Sequence, residues 1–358
     1  MAKNRIIDLP ETKGTFHVIG QATRLSSDRS YKAGSTQNNK WYRSLNFGIE
    51  YEKDSSPVSV QMTGYVNQDV YFWNSKEKKS IRVPWKDRYN FDQEGCVMLG
   101  KTISVTREPD GKPSKHKVYA DYDAIEEIHK NLNDGDFIYA AGDINFRPYR
   151  NKEGEKRTSI NFVPGRLYLQ NDGFDWDSLA EDKAGFIFKQ RFIYLDVERE
   201  DDGDGQPTGR FIVSGYVVSY SSIDRVTMIL DSKVVANNLK KKVKPYTAMD
   251  IYGYVKMNVS EEEVVVEDDG WGNQAFETKV NAPARRELQI VRIDSESFDT
   301  DTYSEASVKK AIEKIKANEN VERTFAAKEE PKNDDAWSSD IDDSDDWGEM
   351  DESEDLPF

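Results

Sequence analysis

Through much of residues 14–295, apolar and polar residues alternate in short runs, and Gly, Asp, Asn and Pro separate the runs. A period of two, broken every few residues by turn formers, is the pattern of antiparallel sheet folded into barrels or sandwiches. In the run Leu45, Asn46, Phe47, Gly48, Ile49 the odd positions are apolar, and from Val58 to Val66 the even positions are. These two runs are predicted to pair through a turn around residues 53–57. A further hairpin is expected over 102–118, turning at 109–112. Residues 121–132 change to helical spacing, with Ile125, Ile128 and Leu132 on one side and Gly135 just past the end. Strands follow at 137–145 and 158–169, joined by a basic loop over 147–157.

After a linker at 171–183 the plan recurs. Strands are predicted at 188–197, 211–218 and 226–230, a helix at 234–242, and strands at 251–259 and 287–293. Three strands, a helix and two strands is the order of an OB-fold, the small barrel that binds oligonucleotides. The first half fits the same order with a large insertion between its third strand and its helix. The expected fold class is therefore all-β with short helices: two tandem OB-fold-like five-stranded barrels, in domains 1–175 and 184–298. Ser304 then caps an amphipathic helix over 303–319, with Val308, Ala311, Ile312 and Ile315 at 3-4-3 spacing, expected to pack back onto its own domain. Residues 320–358 are rich in Glu, Asp, Lys, Ser and Pro and are expected to form a disordered acidic tail.

Charge changes the picture. At 358 residues the chain has room for two domains plus extensions. Its net charge of −16 conceals a strong polarity, because residues 333–358 carry 12 carboxylates and no Lys or Arg. Residues 1–119 hold 20 Lys and Arg against 13 Asp and Glu, a balance of +7. Such asymmetry points to an anionic ligand for the first part and a basic partner for the second. The one cysteine, Cys96, excludes an internal disulfide and fits a reducing compartment. His17, His116 and His129 have no Cys or His at ligand spacing, so no metal site is expected. No apolar run approaches the length of a membrane span, and the N-terminus lacks an apolar export core. A soluble, cytoplasmic protein with no membrane partner is expected.

Strand parity assigns faces. If Leu45, Phe47 and Ile49 fill the first barrel, Tyr42, Ser44 and Asn46 face outward. If Val60, Met62 and Val66 point inward, Gln61, Thr63 and Tyr65 lie outside. Continuing that parity puts Val70 and Phe72 inside and Tyr71 and Trp73 outside. Tyr42, Tyr65, Tyr71 and Trp73 on one outer face form more than the scattered aromatics of a solvated sheet. Cations accompany them: Arg29, Lys40 and Arg43 flank the first strands, and Arg82, Lys86 and Arg88 surround Trp85 and Tyr89. Single strands are held in this way, with bases stacked on flat rings and phosphates tracked by Lys and Arg. Trp41 shares parity with Leu45 and Phe47, so a barrel-end core position and a stacking platform are both open to it. The second barrel offers Tyr216, Tyr252 and Tyr254, with Lys240, Lys241, Lys242 and Lys244 before the latter two. That lysine run reads more readily as a solvated helix end than as a phosphate track. Asp201, Asp202 and Asp204 read as a hairpin turn, because the bidentate Glu of a calcium loop is missing.

The chain closes on Asp355, Leu356, Pro357 and Phe358. A free carboxylate beside a large aromatic, at the tip of an acidic leash, makes a plug for a basic-rimmed apolar pocket. Pro357 limits the backbone freedom that docking removes. In these residues the chain resembles the bacterial and phage single-stranded DNA-binding proteins. It departs from the cellular members in carrying two barrels, and looks more like a phage-encoded version. The resemblance implies coating of single-stranded DNA during replication, recombination and repair. It also implies that the tip recruits replication or recombination proteins such as a polymerase, helicase, primase or recombinase.

No phosphate-binding glycine loop, nucleophile elbow or Cys/His cluster is present, and Glu126 and Glu127 diverge around their helix. The expectation is a protein that is not an enzyme, with no catalytic residues and no cofactor. Rival readings are a strand-annealing or recombination mediator, a virion structural protein with two β-barrels, and a DNA-mimicking inhibitor. The basic first part argues against the last.

Overall fold

The computed structural model describes residues 7–151, 154, 156–180, 184–202, 205–258, 261–262, 280–281 and 285–326. The chain opens with β1 (Gly14–Thr23), β2 (Tyr31–Ser35), β3 (Trp41–Glu50) and β4 (Val58–Tyr65). An insertion carries β5 (Asp69–Asn74), β6 (Lys79–Pro84), β7 (Cys96–Met98), β8 (Lys101–Ser104) and β9 (Lys117–Tyr119). Helix α1 (Asp121–Asn131), β10 (Phe137–Arg150) and β11 (Lys156–Leu169) complete the first half. The barrel closes through antiparallel pairs β1–β3, β3–β4, β11–β10 and β10–β1, and through one parallel pair, β4–β11, where Phe162 faces Val60.

The second half repeats this closure strand for strand. It comprises β12 (Ile187–Asp201), β13 (Pro207–Val218), β14 (Ile223–Leu230), α2 (Lys233–Lys242), β15 (Ala248–Asn258), the two-residue strands β16 (Glu261–Glu262) and β17 (Val280–Asn281), and β18 (Arg285–Asp299). Here β14 and β18 are the parallel pair, with Ile229 opposite Gln289. The remaining contacts, β12–β13, β13–β14, β15–β18 and β12–β15, are antiparallel. In both halves the first strand pairs with the second and fourth, and the third and fifth run parallel. The fold is all-β with short helices, in two five-stranded barrels of OB order.

Alternation explains why these strands form where they do. Leu45, Phe47 and Ile49 of β3 and Val58, Val60 and Met62 of β4 are all buried, and the intervening Asn46, Ser59 and Gln61 are only partly covered. Where α1 crosses the barrel, Gly64 lets it approach. A Cβ there would stand 2.4 Å from the Tyr122 backbone nitrogen.

The barrels are joined edge to edge by β1 and β12, with Thr15 opposite Lys189 and Phe16 opposite Phe188. At the seam, Gly14 leaves room for the buried Gln190, whose Oε1 would lie 1.8 Å from any added Cβ. Gln190 uses that room to donate to the carbonyls of Thr12 (2.9 Å) and Arg191 (2.8 Å). One apolar core runs through both barrels. At its centre, Phe16, Phe162 and Phe186 form a closed trio with centroids 4.7–5.3 Å apart.

Two sequence expectations change. The basic stretch at 147–157 is not simply a loop: β10 and β11 continue into it as a ladder, with Arg150 opposite Lys156. Its side chains carry no strand periodicity, because Arg147, Pro148, Tyr149 and Arg150 are all exposed. Nor do β5 and β6 continue the barrel wall. The last ladder bond there runs from the Val66 amide to the Trp41 carbonyl, and the chain then leaves to build a separate three-stranded sheet, β6–β5–β7. Val70 and Phe72 are buried as parity required, but inside a small core with Val83, Met98 and Ala120.

The C-terminal helix α3 (Glu305–Ala326) begins after Ser304, whose hydroxyl accepts from the Ser307 amide. Val308 and Ala311 pack with Tyr303 against Ile7, Leu9, Ile193, Val218 and Ala248. Among the described residues no helix is long and apolar enough to cross a membrane. The tip residues Asp355, Leu356, Pro357 and Phe358 lie outside the described residues.

Candidate nucleic-acid interface

The outer face of β3 and β4 is built from directly opposed residues. Tyr42 faces Tyr65, Ser44 faces Thr63 and Asn46 faces Gln61. The two tyrosine rings lie 6.3 Å apart, and the Ser44 and Thr63 hydroxyls are within 3.4 Å. Beyond the barrel rim β3 starts with Trp41, which the structure places in solvent, 58 % exposed, and not in the core. Parity sends it to the same side as Leu45, but the barrel has ended before it.

The inserted sheet stands beside this face and turns the wall into a groove of about 860 Å3. Trp41, Tyr65, Tyr71 and Trp85 contribute four rings to it, and Lys40 and Arg82 contribute cations. Each arrives from a different piece of chain: the loop before β3, the ends of β3 and β4, strands β5 and β6, and the 3-10 turn Trp85–Asp87. Tyr71 is half exposed, and Lys40 Nζ sits 4.8 Å from the Tyr65 ring centroid. Arg82 is tied to Asp69, its Nε donating to the carboxylate at 2.6 Å. Asp69 and Asp121 also line the groove, so its charges balance. A cleft of rings without surplus positive charge suits bases better than phosphates.

The remaining candidates divide. Trp73 shares the outer face of the inserted sheet with Tyr71 and stands opposite the exposed Val97, outside the groove. Arg29 rides on a loop pinned by Asp134, which accepts from the Leu25 amide at 2.6 Å and the Ser26 amide at 3.1 Å. Lys86 is exposed next to Trp85. Arg29, Lys40 and Lys86 form no ion pair among the described residues, and are the cations best placed to meet phosphates.

Arg43 and Arg88 are committed inward. Arg43 lies over the Tyr122 ring at 3.9 Å and bridges to Glu126 at 2.8 Å. Lys130 first, and then Arg43, hold the Glu126 carboxyl below its ordinary range against the opposing effect of burial. This tie is therefore present at neutral pH and is lost only on acidification through that lowered range. Arg88 donates to Asp123 at 2.7 Å and covers the Trp85 ring at 4.3 Å. The Tyr89 hydroxyl donates to the same carboxylate at 2.7 Å, and burial together with Asp123 raises its pKa well above the usual phenol value. These three side chains position Trp85 and α1; they do not line the groove.

Sequence reasoning missed the amides. Asn38, Asn39, Asn67 and Gln68 line the groove between the rings and can both donate and accept. Their signal in the sequence was only that of turn formers beside aromatic strand ends. On the second barrel, Tyr252 has Arg292 at 4.3 Å and Lys189 at 5.3 Å from its ring. Tyr216 packs against the α3 cluster. These two rings are engaged, where Trp41 and Tyr71 of the first half are open. Among the described residues no cluster of His, Cys, Asp and Glu could hold a metal ion.

A family profile, YorF, matches residues 22–327, which takes in all of the groove and most of both barrels. The chain belongs to the YorF family. No curated protein matches it in sequence. Among solved structures it is similar to the wild-type single-stranded DNA-binding protein from Thermus aquaticus, with 10 % identity, a TM-score of 0.37, and coverage of 80 % of this chain and 93 % of that one. A deletion mutant of the same Thermus aquaticus protein gives 9 % identity, a TM-score of 0.37, and coverage of 79 % and 94 %. The OB order of this YorF member rests on its own strand pairings.

Proposed function

We propose that the protein binds single-stranded DNA without sequence preference, holding unpaired bases in the groove of the first barrel. The observation that carries this reading is the convergence of Trp41, Tyr65, Tyr71 and Trp85 on one cleft beside the second and third strands of an OB barrel. That face is where OB-folds receive oligonucleotides. Rings accept any base, because every base offers a π-face, and the amides between them can satisfy base edges without fixing a sequence. Lys40 at the cleft, with Arg29, Lys86 and the lysines of the inserted sheet beyond it, would follow the backbone. A duplex keeps its bases stacked on each other and cannot offer them to these rings.

In this proposal residues 1–175 and 184–298 act as two OB domains, the first being the primary binding unit. Coating of exposed strands would serve replication, recombination and repair in the cytoplasm. The acidic tail would recruit partner proteins through Leu356, Pro357 and Phe358. The test is a mobility shift of the full chain on a labelled oligothymidylate and on a duplex, at several salt concentrations. The single strand shifts, more weakly as salt rises, and the duplex shifts far less. Equal retardation of both, or none of either, would remove the proposal.

A further inference from the structure

The second wall of the groove is a unit of its own. Among the described residues β5, β6 and β7 share no ladder with a barrel strand, and their core, closed by Ala120, is separate from that of the barrels. The chain enters this sheet through residues 66–68 and leaves it through Leu99 and Gly100. Helix α1, by contrast, belongs to the barrel, where its Ala124, Ile125 and Ile128 are part of the core. One carboxylate in the first turn of α1 reaches from helix to inserted sheet. Asp123 accepts from Arg88 twice, from Nε at 2.7 Å and from a terminal nitrogen at 3.3 Å. The Tyr89 hydroxyl donates to the same carboxylate at 2.7 Å and accepts from the Ala120 amide at 3.3 Å.

The Arg88 and Asp123 side chains are only 20 % and 17 % exposed, so this forked, charge-assisted contact is stronger than a surface ion pair and fixes direction as well as distance. The start of α1 favours a negative charge at Asp123. From the latch the constraint passes to the groove. Arg88 donates to the Trp85 carbonyl at 2.9 Å and lies 4.3 Å from the Trp85 ring, which also meets Tyr122 edge-on at 6.3 Å. The Trp85 amide in turn donates to the Gln68 carbonyl at 2.9 Å, where the chain enters the inserted sheet. Asp123, Arg88 and Tyr89 do not line the groove, but Trp85 and Tyr71, two of its four rings, stand on the unit they hold.

We infer that Asp123 is a positioning residue for single-strand binding: it latches the inserted sheet to α1, so that Tyr71 and Trp85 stand ready beside Trp41 and Tyr65 as one set of stacking faces. The inference rests on the proposed function, and its test separates the two. Asp123→Asn keeps the size of the side chain and removes its charge. Tyr89→Phe removes a single hydrogen bond and is the milder variant should the first fold poorly. Hydrogen exchange of the free full chain is followed by mass spectrometry, and oligothymidylate binding by stopped-flow fluorescence.

In Asp123→Asn the amides of β5, β6 and β7 exchange faster, while those of β3 and β4 keep the rates of the parent. With the inserted sheet in place about one tenth of the time, the affinity falls about tenfold. The loss appears mainly as faster dissociation. Tyr89→Phe shows the same changes at about two- to threefold, the loss of one hydrogen bond. Unchanged exchange of β5–β7 in both variants overturns the inference and leaves the groove reading standing. Faster exchange with affinity within about twofold of the parent also overturns it, and leaves Trp41 and Tyr65 to carry the groove. Failure of the parent to bind oligothymidylate at all sinks the proposed function and this role of Asp123 together.

Discussion

Replacing Trp41 and Tyr65 together by alanine weakens binding of oligothymidylate by roughly 30-fold to 10⁴-fold. Each base stacked on an aromatic ring contributes about 1–3 kcal/mol, so two lost stacks remove about 2–6 kcal/mol. Both rings are exposed and neither belongs to a core cluster, so thermal stability stays close to that of the unaltered chain. Trp41→Phe with Tyr65→Phe keeps the flat faces and retains most of the affinity. That rescue separates stacking from a nonspecific surface effect. Fluorescence anisotropy with a labelled oligonucleotide reads the change directly. A double-alanine variant within about threefold of the parent would show that the bases lie elsewhere.

Phe162→Ala destabilises both barrels in a single step. Phe162 is fully buried at the parallel pair that closes the first barrel, and its ring contacts Phe16 and Phe186. Phe188, opposite Phe16 in the β1–β12 seam, extends the same core into the second barrel. Truncating a buried phenylalanine costs about 3–5 kcal/mol, because the lost transfer free energy is joined by the cost of the cavity. In a chain of this size that lowers Tm by roughly 10 °C. Differential scanning calorimetry is expected to show one transition in the parent and one, at lower temperature, in the variant. Two transitions of which only one moves would mean that the barrels unfold separately and that the continuous core does not couple them.

The barrels were legible because their strands are half-buried, and half-burial writes itself as alternation. Leu45, Phe47 and Ile49, set against Asn46 and Gly48, state a pleat and a face at once. The arm at 147–157 looks like a loop in sequence because its strands are held by backbone pairing, with too little burial to pattern the side chains. Tyr71 and Trp73 were placed on the correct side of their strand but on the wrong wall. Parity carries along one strand, and nothing in residues 66–68 announces that the chain leaves the barrel there.

The site was legible as a composition and not as a geometry. Aromatics and cations in one stretch pointed to a single-stranded ligand. Which of them converge depended on ion pairs between residues distant in sequence, such as Arg43 with Glu126 and Arg88 with Asp123. Those pairs take two of the expected cations out of the groove.

The central claim is that unpaired bases lie against the rings of the first-barrel groove. Ultraviolet cross-linking of the full chain to oligothymidylate, followed by mass spectrometry of the nucleotide-bearing peptides, tests it most directly. Adducts are expected on Trp41, Tyr65, Tyr71 or Trp85, and a short competing single strand should abolish them. Adducts confined to the second barrel, or none at saturating oligonucleotide, would contradict the claim.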